Sequence, residues 1–538
     1  PTGAAYDFQT GKDIGRYYVA DNVGVSDNNT TNYKTQLNGR LQYETTIAQD
    51  HNIGAMFVYS EEYWHTRSTG ASRNDRIHPS TSEINAALTN VQSNSGSSAS
   101  EGLRSYIGRM NYSAYDKYLL EFSFRVDGSS KFIKGHQYGF FPTVAVGWRF
   151  TEEEFLKKYL SSWLSSGKLR ASWGKLGDNS GVDRFEQLET LTAMNYMSSD
   201  VVKGFVNKKM INKDLSWEVS TDINVGLDLG FLNNRLRTEI DFYNRLRTGM
   251  NRPSQMSIHL TGAYSAPRAN IGDLLNRGLE LNLTWKDKIG NVEYSVNLNG
   301  AYNRTVLKEW NEFLSRGWVY LDMPYHFLYV YENNGIAQTW QDIYNNTPQG
   351  LSPGDVIRKD LNGDGIIDGK DKKAYPNIQR DRPTTTYGIT LQAAWKGFDI
   401  SMLFNGGLGR KDFWLTDFNN TAFADRRYAS TWDHWTEPWS LENRGGEWPR
   451  LGTSTDRSDN SYWLYNMNYL RMKNIMLGYN LPKKLLSKIS MTNLRIYASA
   501  ENLFTVTQYP GLDPEKKNSA RDLYPINRSF SIGLNVSF

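Results

Sequence analysis

Apolar and polar residues alternate along much of this chain. The last nine residues, FSIGLNVSF, set Phe530, Ile532, Leu534, Val536 and Phe538 against Ser531, Gly533, Asn535 and Ser537. A period of two means an extended strand with two unlike faces. The pattern recurs in KYLLEFSFRVD, where Tyr118, Leu120, Phe122, Phe124 and Val126 oppose Glu121, Ser123, Arg125 and Asp127. It recurs again in DINVGLDLGF (222–231), LRTEIDFYN (236–244), GLELNLTWK (278–286) and EYSVNLNGAY (293–302).

A soluble β-sandwich alternates in the same way, with its apolar face inward. The connections help to separate the two readings. Short turns fall at 47–52, 113–116, 232–235, 286–291 and 396–398, and long segments at 61–103, 177–218, 248–276, 304–384, 407–466 and 503–528. Segment 128–141 is of intermediate length, and TEEEFLKKYLSSWLSS (151–166) predicts a helical turn on the short side. Short and long connections alternate, as they do in an all-β, antiparallel up-and-down transmembrane barrel with long extracellular loops. A Greek-key sandwich has no reason to sort its loops by length. The signals give about sixteen strands, starting near Gly15–Val25. This register puts Phe538 on the tight-turn, periplasmic side.

Composition fits that picture. The 538 residues are 39 % apolar, with a mean hydropathy of −0.60. No apolar run approaches the ~20 residues of a spanning helix. An α-helical membrane protein is excluded, whereas a barrel of half-apolar strands is not. Aromatic content is high, with 33 Tyr, 23 Phe and 16 Trp. Tyr and Trp suit the two bilayer interfaces, and Tyr43, Tyr59, Tyr118, Trp148, Trp285, Trp395 and Tyr479 fall near expected strand ends. A net charge of +4 without clustered Lys or Arg gives no case for nucleic acid. The lack of cysteine removes disulfides and thiolate metal sites. The opening PTGAAYDFQT shows no signal-peptide pattern, so the expectation is a cytoplasmic protein or a chain lacking its N-terminal part.

One motif carries sharp chemistry. In DLNGDGIIDGKD, Asp360, Asn362, Asp364, Gly365, Ile366, Asp368 and Asp371 occupy positions 1, 3, 5, 6, 7, 9 and 12 of a calcium loop. Alternate oxygens would supply a structural Ca²⁺ (or Mg²⁺), with Ile366 contributing its carbonyl. Position 12 is Asp rather than the longer Glu, and no helix pattern precedes the loop. The alternative is an acidic turn that stays metal-free. No HExxH pattern is present, and no catalytic constellation stands out. An all-β glycosidase would need two carboxylates at a set separation across one cleft, and nothing in the pattern supports that.

The loops are dense in aromatics. Trp414, Trp432, Trp435, Trp439, Trp448 and Trp463 lie between 407 and 466, and WVYLDMPYHFLYVYE spans 318–332. Flat rings beside Asp, Asn and Arg are candidate contacts to cargo or to a lid protein. The competing reading is that they pack the loops together.

Several stretches resemble the SusC/RagA-like TonB-dependent outer-membrane transporters. They are FRVDGSSKF…YGFFPTVAVGWRFTEEEF (124–155), LRASWGKLGDNSG (169–181), NRGLELNLTWK (276–286) and GDVIRKDLNGDGIIDGKDKKAYPN (354–377). WTEPWSLENRGGEWPRL (435–451), NYLRMKNIMLGYNLP (468–482) and NLRIYASAENLFTVTQYPGLDPE (493–515) resemble it too. The resemblance implies a barrel of about twenty-two strands around an N-terminal plug. It also implies energy from TonB, a SusD-like surface lipoprotein as lid, an oligosaccharide or peptide as cargo, and a dimer of transporter–lid pairs in outer-membrane lipid. About sixteen strands cannot close such a barrel, and an unpaired edge in lipid costs several kcal/mol per group. The expectation is therefore the C-terminal, barrel-forming portion of a larger transporter, without its plug. A passive porin-like barrel or a surface adhesin is the alternative.

Overall fold

A computed structural model describes residues 2–7, 12–18, 24–74, 82–87, 92–197, 201–207, 209–256, 259, 266–312, 320–325, 327–413, 437–450, 460–482, 486, 491–516 and 525–538. Its centre is one sheet of fifteen strands. In chain order these are β1 (Val25–Ile47), β2 (His51–Arg73), β3 (Gln92–Ala114), β4 (Tyr118–Ser129) and β5 (Tyr138–Trp148). Next come β6 (Leu164–Asp178), β7 (Glu218–Phe231), β8 (Leu236–Thr248), β9 (Asp273–Ile289) and β10 (Val292–Glu309). The last five are β11 (Thr385–Trp395), β12 (Phe398–Leu408), β13 (Tyr469–Asn480), β14 (Asn493–Thr507) and β15 (Ser529–Ser537). Each pairs antiparallel with its neighbours in the chain, so the topology is a pure meander. Among the described residues, β1 and β15 are paired on one side only.

The connections sort as the sequence suggests. One end carries 48–50, 115–117, 149–163, 232–235, 290–291, 396–397 and 481–492. The other carries 74–91, 130–137, 179–217, 249–272, 310–384, 409–468 and 508–528. Tight turns of this kind need backbone with positive φ, whose twist matches the strands. Leu232, Asn233 and Asn234 all adopt it, as do Tyr115 and Asp116. Phe538 follows β15 at the tight-turn end.

Two details differ from the sequence reading. The sheet has fifteen strands and begins at Val25, while Lys12–Tyr18 pairs locally with Thr2–Asp7. The segment read as a long loop at 61–103 is mostly strand, since β2 runs to Arg73 and β3 starts at Gln92. At 23 residues each, β2 and β3 far exceed the ~9–11 that cross a bilayer. Beyond the apolar band both faces meet water, so alternation ends in the sequence although the ladder continues.

The apolar side of the strands is not a core. Leu120 and Phe122 of β4, Ile223 and Val225 of β7, Leu279 of β9 and Ile532 of β15 are all exposed. In a sandwich these residues would be covered. Outward-facing positions of β2 run from His51 through Ile53, Ala55 and Phe57 to Tyr59, and end at Glu61, which pairs with Arg104 of β3 at 2.8 Å. About ten residues at ~3.3 Å, tilted by ~40°, make a band about 25 Å tall. That is the height of a bilayer's hydrocarbon core. No helix among the described residues is long and apolar enough to cross a membrane.

Candidate functional site

The opposite face of the sheet is polar and lines a cavity of about 760 Å³ whose walls include Glu44, Asn111, Glu121, Lys168, Arg170 and Asn224. Register explains the segregation: Gly226 lies opposite both Arg170 and Asp241, so polar residues of successive strands share one side. Arg170 Nη2 donates to Asp228 at 2.7 Å and to Asp241 at 3.0 Å. Arg109 Nη2 donates to Glu121 at 2.7 Å, and Arg245 to Asp222 at 2.6 Å. Asn297 Nδ2 donates to Asn282 at 2.7 Å and to the Thr284 hydroxyl at 2.8 Å. A wall of paired charges and amides can pass a hydrated solute without holding it tightly.

Above the sheet the long loops form a body with its own core. Leu328 and Val330 (310–384) pack with Phe413 and Trp463 (409–468). Met467 packs with Tyr509 of 508–528. An ion pair and hydrogen bonds tie the same three loops. Arg450 grips the buried Asp355 through Nε at 2.8 Å and Nη2 at 3.2 Å. The buried Arg410 donates to the carbonyls of Arg380, Pro514, Glu515 and Lys516, each at 3.0–3.1 Å.

The tryptophans divide accordingly. Trp414, Trp432 and Trp435 lie outside the described residues. Trp439 is 6 % exposed, and its Nε1 donates to Gln338 Oε1 at 2.8 Å. Trp463 is 3 % exposed and stacks on Trp448 with centroids 6.2 Å apart. Trp439 and Trp463 are buried between loops, and Trp448 is half-buried beside Trp463.

The 360–371 loop leaves a short strand, Val356–Arg358, and the helix before that strand is the short Trp340–Tyr344. Asp360 accepts the amides of Gly363 at 2.7 Å and Gly365 at 2.9 Å, and both glycines have positive φ. Partial desolvation pushes the Asp360 carboxyl up, but those amides and the Thr347 hydroxyl bring it below the ordinary aspartate range. Asp364 accepts the Ile366 amide at 2.9 Å, and Asp368 the Lys370 amide at 2.8 Å. Asp371 is fully buried and accepts from Leu361 and Asp368. Among the described residues no three acidic or His side chains converge as a metal site. The donor set is nonetheless all oxygen, which suits a hard cation.

The TonB-dependent receptor-like β-barrel family model matches residues 2–503. The chain belongs to this family. TonB-dependent receptor P3 of Formosa agariphila is 30 % identical over 95 % of the chain and 52 % of its own length. TonB-dependent receptor SusC of Bacteroides thetaiotaomicron is 30 % identical over 81 % of the chain and 44 % of its own length. The RagAB peptide importer in its open-open state has the same fold, with a TM-score of 0.81 at 23 % identity, covering 97 % of this chain and 56 % of that one. The chain spans about half the length of the curated relatives it matches. The relatives named here are receptors and a transporter, not enzymes. This TonB-dependent receptor chain thus has a β-barrel wall and an ordered loop body. Sequence reasoning missed Arg410, Arg450, Asp355 and Asp513, because their partners lie 30 to 106 residues away.

Proposed function

We propose that this chain is the barrel wall and loop body of a SusC-like importer that brings a bulky nutrient, an oligosaccharide or a peptide, across the outer membrane of a Gram-negative bacterium. The observation that carries the reading is the segregation of faces in one meander: an exposed apolar band outside and paired polar groups inside. Family membership and the likeness to SusC and to the RagAB peptide importer support it. The strands that close the barrel, the plug and the TonB-binding segment belong to the other half of the transporter, in keeping with the two one-sided edge strands. A SusD-like lipoprotein covers the loop body, and pairs of transporter and lid form the dimer. The tight-turn end, with Phe538, faces the periplasm. Cargo is held between loops and lid, and TonB pulling on the plug opens the path along the polar wall. The 360–371 loop takes a structural Ca²⁺ that stiffens the loop body.

The test uses the full-length transporter in its host. Two labelled pools are supplied, defined oligosaccharides and defined peptides. Deleting the gene abolishes accumulation of one pool, and the intact gene restores it. Unchanged accumulation of both pools would count against this function.

A further inference from the structure

The connection between β5 and β6, at the tight-turn end, carries a helix. Phe150–Glu152 forms a short 3₁₀ turn, and α1 spans Glu154–Leu160. Leu156 and Leu160 are half-buried. Phe155 and Tyr159, one turn apart on another side, are 64 % and 74 % exposed.

The barrel's outward face fixes where this segment lies. Glu153 Oε1 accepts from the Tyr118 hydroxyl at 2.6 Å and from Trp148 Nε1 at 3.1 Å. Tyr118 and Trp148 pair across β4 and β5 on the apolar side. The Phe150 ring covers Gly167, where an added Cβ would sit 2.3 Å from it. The Thr151 hydroxyl accepts the Gly167 amide at 2.9 Å. Past the helix, Trp163 stacks on Phe231 at 5.8 Å. The segment is therefore pinned at both ends to the outside of the barrel rim rather than beneath its bore. Just above it, an apolar groove of about 380 Å³ runs between Tyr118, Leu120, Val146, Trp148, Leu169 and Ala171. Lys117, Arg149 and Lys158 bring cations to the same level, Lys117 paired with Glu153 at 3.6 Å.

We propose that residues 149–163 are an interfacial anchor: α1 lies in the inner-leaflet headgroup layer with Phe155 and Tyr159 in lipid, and a phospholipid acyl chain fills the groove above it. The occupant is lipid because the segment continues an apolar band that already faces the bilayer. Aromatic rings with flanking cations are the chemistry of that layer. The inference rests on the barrel reading, and the test separates the two.

This chain has no cysteine, so single thiols can be placed cleanly. Full-length transporter carrying Tyr159→Cys, Lys157→Cys or Phe122→Cys is labelled with an NBD fluorophore. Each is reconstituted into phosphatidylethanolamine–phosphatidylglycerol vesicles, and folding is checked by the shift in gel migration on heating. Lys157 projects to the far side of α1 and is the aqueous control; Phe122 marks the bilayer. The label at 159 should be quenched several-fold more by shallow spin-labelled lipid than the label at 157, and several-fold less by iodide. Equal iodide quenching at 157 and 159 would overturn the anchor, as would shielding of 159 from both quenchers, which means a protein surface covers it. Failure of lipid to quench the label at 122 would instead overturn the barrel reading and the anchor with it.

Discussion

Arg471 Nη2 donates to Asp513 at 2.9 Å, with the two side chains 3 % and 1 % exposed to solvent. The pair joins the start of β13 to the loop after β14. Glu515 holds the same guanidinium through Nη1 at 2.7 Å. Removing one partner of a buried pair leaves an uncompensated charge, at about 3–5 kcal/mol. Asp513→Ala should therefore loosen 508–516, to the lower end of that range because Glu515 remains. Hydrogen exchange of the loop amides measures it. Asp513→Ala with Glu515→Ala should exceed either change alone.

Phe122 faces outward in mid-band on β4, and Ser123 faces the polar wall. Arg on the lipid side at the midplane costs about 2–4 kcal/mol. Phe122→Arg should lower folding stability in vesicles by that amount, while Ser123→Arg should change it little. Equal effects would contradict the assignment of faces.

Trp439 distinguishes loop packing from cargo contact. Its burial and its bond to Gln338 give Trp439→Ala a loss of about 3–5 kcal/mol. Trp439→Phe keeps most of the packing and loses about 1 kcal/mol with the hydrogen bond. Protease resistance of the loop body should fall in that order. A residue that served cargo alone would leave protease resistance unchanged and weaken only binding.

The fold was legible because period-two alternation and the length-sorting of connections both arise from the bilayer. The band from His51 to Tyr59 alternates because one side meets lipid. Beyond Glu61 that constraint ends, so β2 and β3 read as loop although they stay paired to Arg73 and from Gln92. The loop body was less legible. Trp463 and Trp448 could be read as binding residues, because rings that pack loops look like rings that stack on sugars. The bond from Arg410 to Glu515 crosses 105 residues and leaves no local signal. Residues 360–371 have the spacing of a calcium-type loop, but among the described residues no three acidic or His side chains converge there.

The 360–371 loop gives a pH prediction whose sign follows from Asp360. Its carboxyl lies below the ordinary value when folded, against about 3.9 in an unfolded chain. The order it lends is present above that unfolded value and is lost as pH falls through the lower folded one. Terbium luminescence should report binding at pH 7, displaced by Ca²⁺, and should vanish in acid. Asp360→Asn with Asp364→Asn should abolish it at neutral pH.

Energised import along this wall depends on TonB. Cells carrying the full-length transporter are given the labelled pool that they accumulate. TonB is then removed, or the proton gradient is collapsed with a protonophore. Accumulation should fall to the level of cells lacking the transporter gene while surface binding persists. Accumulation that continues unchanged without TonB would mean a passive pore and would contradict it.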